Sequence, residues 1–254
     1  MGNGKKVAVV TGGASALGKD IALRLASDGY AVAVVDSDTN GQAVADAAGG
    51  IFVAHKMNDF AGAPAVMEKV ASKLGGINVL INCAAVSPSG ASEDITAQAW
   101  DEVMDINLKG MFFAIQAAIP FLKKNEDGGS IVNISSIHAK LATGDHLLYS
   151  ASMAAVTAMS RELATDLWRY GIKCNTIAPG NVFAPDDAQL QDKAFKDEQV
   201  GYVLTDRVIE PKDISEVVSF LVSDAAYCIN AFEVPVDSGY NIVREKPVAS
   251  PFKA

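Results

Sequence analysis

Residues 6–18 read KVAVVTGGASALG: a short β-branched apolar run, then glycines, then residues suited to open a helix. Residues 6–11 have strand composition, and the glycines bound them as a turn signal. Glycine at the turn lets the main chain approach a pyrophosphate, and the following helix start supplies free N–H groups and a positive dipole end. A tight turn between strand and helix could have the same composition. Its place after the first strand and before the helical spacing of residues 19–28 favours the phosphate cradle. Ala31–Asp36 (AVAVVD) is a second strand that ends on a carboxylate, about 20 residues on, where ribose hydroxyls would be held. Asp36 would repel a 2′-phosphate, and Ser37, not an arginine, follows it. This favours NAD over NADP, although an aspartate at a strand end is also an ordinary turn former.

The pattern continues outward. Strands are expected at 51–55, Val79–Asn82, 130–135, 172–178 and around Glu233–Val236, with long helical stretches at 97–122 and 149–170. Apolar strands alternating with helices predict an α/β Rossmann fold, a doubly wound parallel sheet of about seven strands. Its 254 residues fit one domain spanning 1–254,. The polar stretch within 181–210 reads as a substrate flap, and residues near 243–254 read as a tail. Net charge is −9 with a pI near 4.8, which argues against nucleic acid as a partner. No apolar run reaches the ~20 residues that span a bilayer, and no secretory apolar region follows the N-terminal Met-Gly-Asn-Gly-Lys-Lys,. Cys83, Cys174 and Cys228 are far apart, with no metal-ligand spacing. They read as buried small hydrophobes, and no metal is expected. A soluble cytoplasmic protein is the expectation.

Seven elements in order make the chain resemble the classical short-chain dehydrogenase/reductase family over nearly its whole length. The turn at 11–18 is similar to that family's T-G-x-x-x-G-x-G, with Ala16 in place of the middle glycine. Asn82-Cys83-Ala84-Ala85 resembles N-N-A-G, and Asn107 matches the helix asparagine. Ser136 and Tyr149 have the spacing of the catalytic serine and tyrosine. Pro179-Gly180 matches the P-G before the flap, and residues 236–240 (VDSGY) resemble V-D-G-G. The resemblance implies an NAD site made by Gly12, Ser15, Ala16, Leu17, Gly18, Asp36, Asn82, Ala84, Pro179, Gly180 and Val182. It implies a small-molecule substrate whose secondary alcohol and ketone interconvert, with Tyr149 as general acid/base, Ser136 orienting the carbonyl and Asn107 anchoring a relay water. It also implies a homo-oligomer, a tetramer or dimer, assembled through the helices at 101–122 and 152–170.

One departure bears on chemistry. The family's lysine four residues after the tyrosine is Met153 here. A thioether carries no charge, so a tyrosine of ordinary pKa ~10 stays protonated at pH 7 and the cofactor ribose loses a partner. Lys56 also replaces the aspartate usually offered to adenine. Met153 either slows the enzyme or is an introduced substitution. Two other readings stay open: non-redox chemistry (elimination, isomerisation or cyclisation) with Tyr149 and Ser136 as hydrogen-bond donors, or an inactive scaffold. His138 and His146 are near in sequence and titrate near neutrality. They read either as replacement bases or as loop residues facing solvent or substrate.

Overall fold

The computed structural model describes residues 5–242; the expected tail near 243–254 lies outside them. The elements are β1 (Val7–Thr11), α1 (Ala16–Ser27), β2 (Ala31–Asp36), α2 (Gly41–Ala47), β3 (Ile51–Ala54), α3 (Ala63–Leu74) and β4 (Val79–Asn82). They continue with α4 (Ala97–Met104), α5 (Met111–Leu122), β5 (Gly129–Ile134), α6 (Leu147–Leu167), β6 (Ile172–Pro179), α7 (Lys193–Gly201), α8 (Pro211–Val222) and β7 (Glu233–Val236). The strands form one sheet in the order β3-β2-β1-β4-β5-β6-β7, and each neighbouring pair is parallel. The seven-stranded doubly wound expectation holds.

Alternation along each strand builds two cores. Val7 and Val9 of β1 face a cluster with α3, α5 and α6, while Ala8 and Val10 face one with α1, α2 and α8. Because side chains alternate across a strand, both faces of β1 are apolar, as a sheet covered on both sides requires. The chain reverses its winding between β1 and β4. In such sheets ligands bind beyond the carboxyl ends of the strands at this switch point.

Several expectations need correction. Helix α1 begins at Ala16, earlier than the apolar spacing indicated. Ser15 caps it, its hydroxyl oxygen accepting from the Gly18 N–H at 3.0 Å,. The stretch 97–122 is helical throughout but not uniformly α: Asp105–Gly110 forms a π-helical turn between α4 and α5. The segment 181–210, expected as a flap, carries a short 3₁₀ turn at Ala188–Gln191 and then α7. Its C-terminal end is tied down where Arg207 donates twice to the Asp213 carboxylate, at 2.7 and 2.6 Å. That guanidinium holds the Asp213 carboxyl below its usual range. Of the three cysteines, only Cys174 is fully buried; Cys83 is partly exposed and Cys228 is exposed. Cys228 falls in the connection between α8 and β7, where the backbone runs over the surface,.

Candidate active site

The C-terminal ends of β1, β2 and β4 open onto a cleft of about 430 Å³. Gly12, Ser15, Asp36 and Ala84 line it, as anticipated. His55, Lys56, Asn58, Cys83 and Ile106 join them; the sequence points to Lys56 at the adenine and to Cys83 within the motif after β4, but not to His55, Asn58 or Ile106. Their common signal is position, since each lies just past a strand end or in the π-helical turn.

The turn after β1 is built by close approach. Gly12 has φ +68°, and a Cβ there would lie 2.6 Å from the Ala84 backbone. A Cβ on Gly18 would lie 2.1 Å from the Gly12 carbonyl oxygen, so the helix packs directly on the turn. The Ser15 hydroxyl closes the loop by donating to the Gly12 carbonyl at 2.7 Å. Ala16 and Leu17 open α1, and their N–H groups have no intrahelical acceptor. Asp36 accepts from the Ala14 N–H at 2.9 Å and the Asp38 N–H at 3.0 Å, which ties the end of β2 to the turn. Gly12→Ala combines backbone collision with a left-handed φ. It is expected to cost ~3 kcal/mol or more, lowering Tm by roughly 10 °C. A thermal melt showing less than a degree of change would refute this account of the turn.

Beneath the cleft runs a buried polar strut. The Asn82 amide donates to Asn133 Oδ1 at 2.8 Å, and the Asn133 amide donates to Ser160 Oγ at 2.8 Å, linking β4, β5 and α6. Asn82 is thus structural support, not cleft wall. Asn107 is fully buried in the π-helical turn. It accepts from the Val86 N–H at 2.8 Å and spends both amide hydrogens, on the Val86 carbonyl at 2.8 Å and Ser152 Oγ at 3.0 Å. Ser152 in turn donates to the Tyr149 carbonyl at 2.7 Å. Asn107 therefore pins the loop after β4 to the first turn of α6. Pro179 and Gly180 stand at the end of β6, and Val182 bridges to Ile209 under the flap; none of the three lines the cleft.

Ser136 and Tyr149 meet. Ser136 is buried, accepts from the His138 N–H at 3.2 Å and stands near enough to the Tyr149 phenol to favour its ionised form. Burial pushes the Tyr149 phenol above its usual value; the Ser136 hydroxyl opposes this, and the neighbouring Cys83 adds to it. Cys83 itself is pushed up to about 12 by burial, which outweighs the opposing effect of the nearby Ser15 hydroxyl, so it is a thiol at neutral pH. It links the two halves of the site, since it lines the cleft and also faces Tyr149.

Met153 lies one turn along α6 from Tyr149 and is 0% exposed, with its carbonyl accepting from the Ser135 hydroxyl at 3.2 Å. The other cation of this region, Lys140, is ion-paired with Glu233 and does not stand in for a lysine at 153. His138 and His146, in contrast, pack edge-on around Tyr149. Ring centroids are 5.8 Å apart for His138–Tyr149, 6.4 Å for His146–Tyr149 and 5.1 Å for the histidine pair.

Comparisons with known proteins agree with this architecture. A family model described as enoyl-(acyl carrier protein) reductase matches residues 12–241. The chain is 35% identical to D-threitol dehydrogenase of Mycolicibacterium smegmatis over 243 residues, 93% of each chain. It is 31% identical to 3-oxoacyl-[acyl-carrier-protein] reductase of Staphylococcus aureus over 241 residues, covering 92% of this chain and 97% of that one. Among solved structures, a blue fluorescent protein from a metagenomic library, in complex with NADPH, superposes with TM-score 0.84 at 30% identity, covering 93% and 98% of the two chains. Levodione reductase does so with TM-score 0.84 at 28% identity, covering 94% and 98%.

Proposed function

The chain belongs to the short-chain dehydrogenase/reductase family and is an enzyme of that type; from that premise we propose that it is an NAD-dependent oxidoreductase interconverting a secondary alcohol and a ketone, slowed by Met153. The observation that carries this reading is the meeting of Ser136 and Tyr149 beside a glycine-walled cleft that ends on Asp36. The cleft fits a dinucleotide because the wall between Gly12 and Ala84 has no room for a side chain, and Ser15, the N-cap of α1, lines it where the helix's first N–H groups begin,. Gly12, Ser15, Ala16, Leu17 and Gly18 would hold the pyrophosphate and Asp36 the adenosine ribose, with Ala84 and the end of β6 (Pro179, Gly180, Val182) on the nicotinamide side. The bound nicotinamide supplies hydride acceptance and donation.

The protein's own groups do the rest. Ser136 orients the substrate oxygen, and Tyr149 Oη gives or takes its proton. Both Asn107 amide hydrogens are spent, so a water held by Asn107 is held through its backbone carbonyl. Among the described residues no helix is long and apolar enough to cross a membrane. Three unpaired cysteines suit a reducing cytoplasmic setting,. Trp100 within α4 and Trp168 just past α6, 45% and 69% exposed, support assembly into a homo-oligomer through those helices,.

Tyr149→Phe is expected to cut turnover by about 100-fold or more while leaving NAD affinity within a factor of about 2, because proton transfer alone is lost. Isothermal titration with NAD and a steady-state assay over secondary alcohols check both halves. If NAD does not bind to either form, the dehydrogenase reading is wrong. A second reading is favoured by the uncharged Met153: Tyr149 and Ser136 as neutral hydrogen-bond donors in a non-redox reaction. It would be identified by substrate conversion that needs Tyr149 without change in nicotinamide absorbance.

A further inference from the structure

Two of the three histidines in the chain lie against Tyr149, on different segments: His138 in the 3₁₀ turn Ile137–Ala139 and His146 immediately before α6. The Nδ1 atoms of both rings are buried and have no hydrogen-bond partner. Buried polar atoms without partners are costly, so a site that keeps two of them side by side needs a reason. The groups around them narrow the choice. The Asp145 carboxylate lies 3.7 Å from His146 Nε2 and can stabilise a positive charge at the outer end of the pair. Cys83, facing from the loop after β4, is a neutral thiol. Lys140 is turned to Glu233 of β7, and Met153 carries no charge.

We propose that His138 and His146 form a proton relay that serves Tyr149 where the family has a lysine; this rests on the oxidoreductase reading above. During alcohol oxidation the Tyr149 O–H bond breaks and, through a water bridging the edge-on rings, an N–H bond forms on a neutral imidazole,. Tyr149 Oη then takes the substrate's hydroxyl proton while the carbinol C–H leaves as hydride to the oxidised nicotinamide. One alcohol becomes one ketone, the oxidant gains two electrons, and one proton is left on the pair, with Asp145 beside His146 to hold the imidazolium. Ketone reduction runs the same steps backward. Burial, reinforced by the neighbouring His146, lowers His138 from its usual value, which keeps it a neutral base at pH 7,.

Two measurements test the relay. The first needs no cofactor: histidine ¹³Cε1 signals of the full-length protein are followed by NMR against pH. The His138 midpoint is expected to rise in His146→Asn, because the neighbouring imidazole that helps to lower it is removed,. Independent titration would overturn the pair. The second is the pH profile of turnover with NAD over a panel of secondary alcohols including D-threitol. His138→Asn is expected to lose about 100-fold and the acid limb of the profile. Adding Met153→Lys is expected to recover activity without that limb, which also shows that the variant folds. Unchanged turnover in His138→Asn would sink the relay and leave the oxidoreductase reading standing. Absence of nicotinamide reduction by both the unaltered chain and Met153→Lys, on every alcohol, would overturn both.

Discussion

Met153→Lys is expected to raise alcohol oxidation at pH 7 by at least about tenfold, and by about 100-fold when His138 and His146 are both replaced by asparagine. A unit charge ~5 Å from the Tyr149 hydroxyl, at an effective dielectric of ~20, is worth roughly 3 kcal/mol, or about two pKa units. The cation favours the phenolate, opposing the burial that now pushes the phenol up. The phenolate population at neutral pH therefore rises about 100-fold. In the unaltered background part of that gain is already supplied by the relay, so the increase is smaller. The substitution has a cost as well. Met153 is 0% exposed, and an ammonium group placed there loses its water,. Its four-carbon stem lets the charge lean toward the cleft, leaving ~2 kcal/mol of destabilisation, or roughly 4–8 °C in Tm for a chain of this size. Saturating NAD is expected to restore much of that loss, since binding at 100 times Kd contributes about 2.7 kcal/mol. Steady-state rates and melts with and without NAD check each part. A variant that keeps its Tm and gains no activity would mean that the charge does not reach Tyr149.

The sheet was readable because its central strands β1 and β2 are β-branched runs apolar on both faces, the pattern of a buried parallel sheet,. Val79–Asn82 and Glu233–Val236 form at the expected residues. The cleft at the strand ends was readable for a related reason. Gly12, Ser15, Asp36 and Ala84 each follow a strand, and the doubly wound topology brings those strand ends to one edge,. What stayed hidden depends on contacts far apart in sequence. The π-helical turn at Asp105–Gly110 sits in a stretch of ordinary helix composition, and its buried Asn107 is held by Val86, on the loop after β4. Lys140 reads as a free loop cation until β7 brings Glu233 to it. The histidine pair follows no periodicity; only the fold of the 137–146 loop onto α6 brings the rings together over Tyr149.

Asp36→Ser is expected to turn a preference for NAD into one for NADP, a change of about 100-fold or more in the ratio of the two dissociation constants. A carboxylate and one phosphate charge ~4 Å apart, at a dielectric of ~20, repel by ~4 kcal/mol before salt screening. A surviving penalty of ~2.7 kcal/mol is a hundredfold in affinity. Lys56 lies in the same cleft and pulls the other way, but it is exposed, and an exposed pair contributes only ~1 kcal/mol or less. Asp36 is held on the turn by the Ala14 and Asp38 N–H groups, so its charge is fixed where Lys56 is free to swing away. While the carboxylate is present the repulsion decides. Once it is gone, Lys56 is the lysine that lines the cleft and can meet a 2′-phosphate, with Asp38 still opposing it, and Lys56→Gln in the Asp36→Ser background is expected to return about threefold to fivefold of the change. Serine keeps one acceptor for the Ala14 N–H, so the turn loses only ~1 kcal/mol. Titrations of both nucleotides at two salt concentrations separate the terms, because the Lys56 share weakens with salt and the loss of bonding to the turn does not. Tighter binding of NADP than NAD by the unaltered protein would show that Lys56, and not Asp36, reads the ribose.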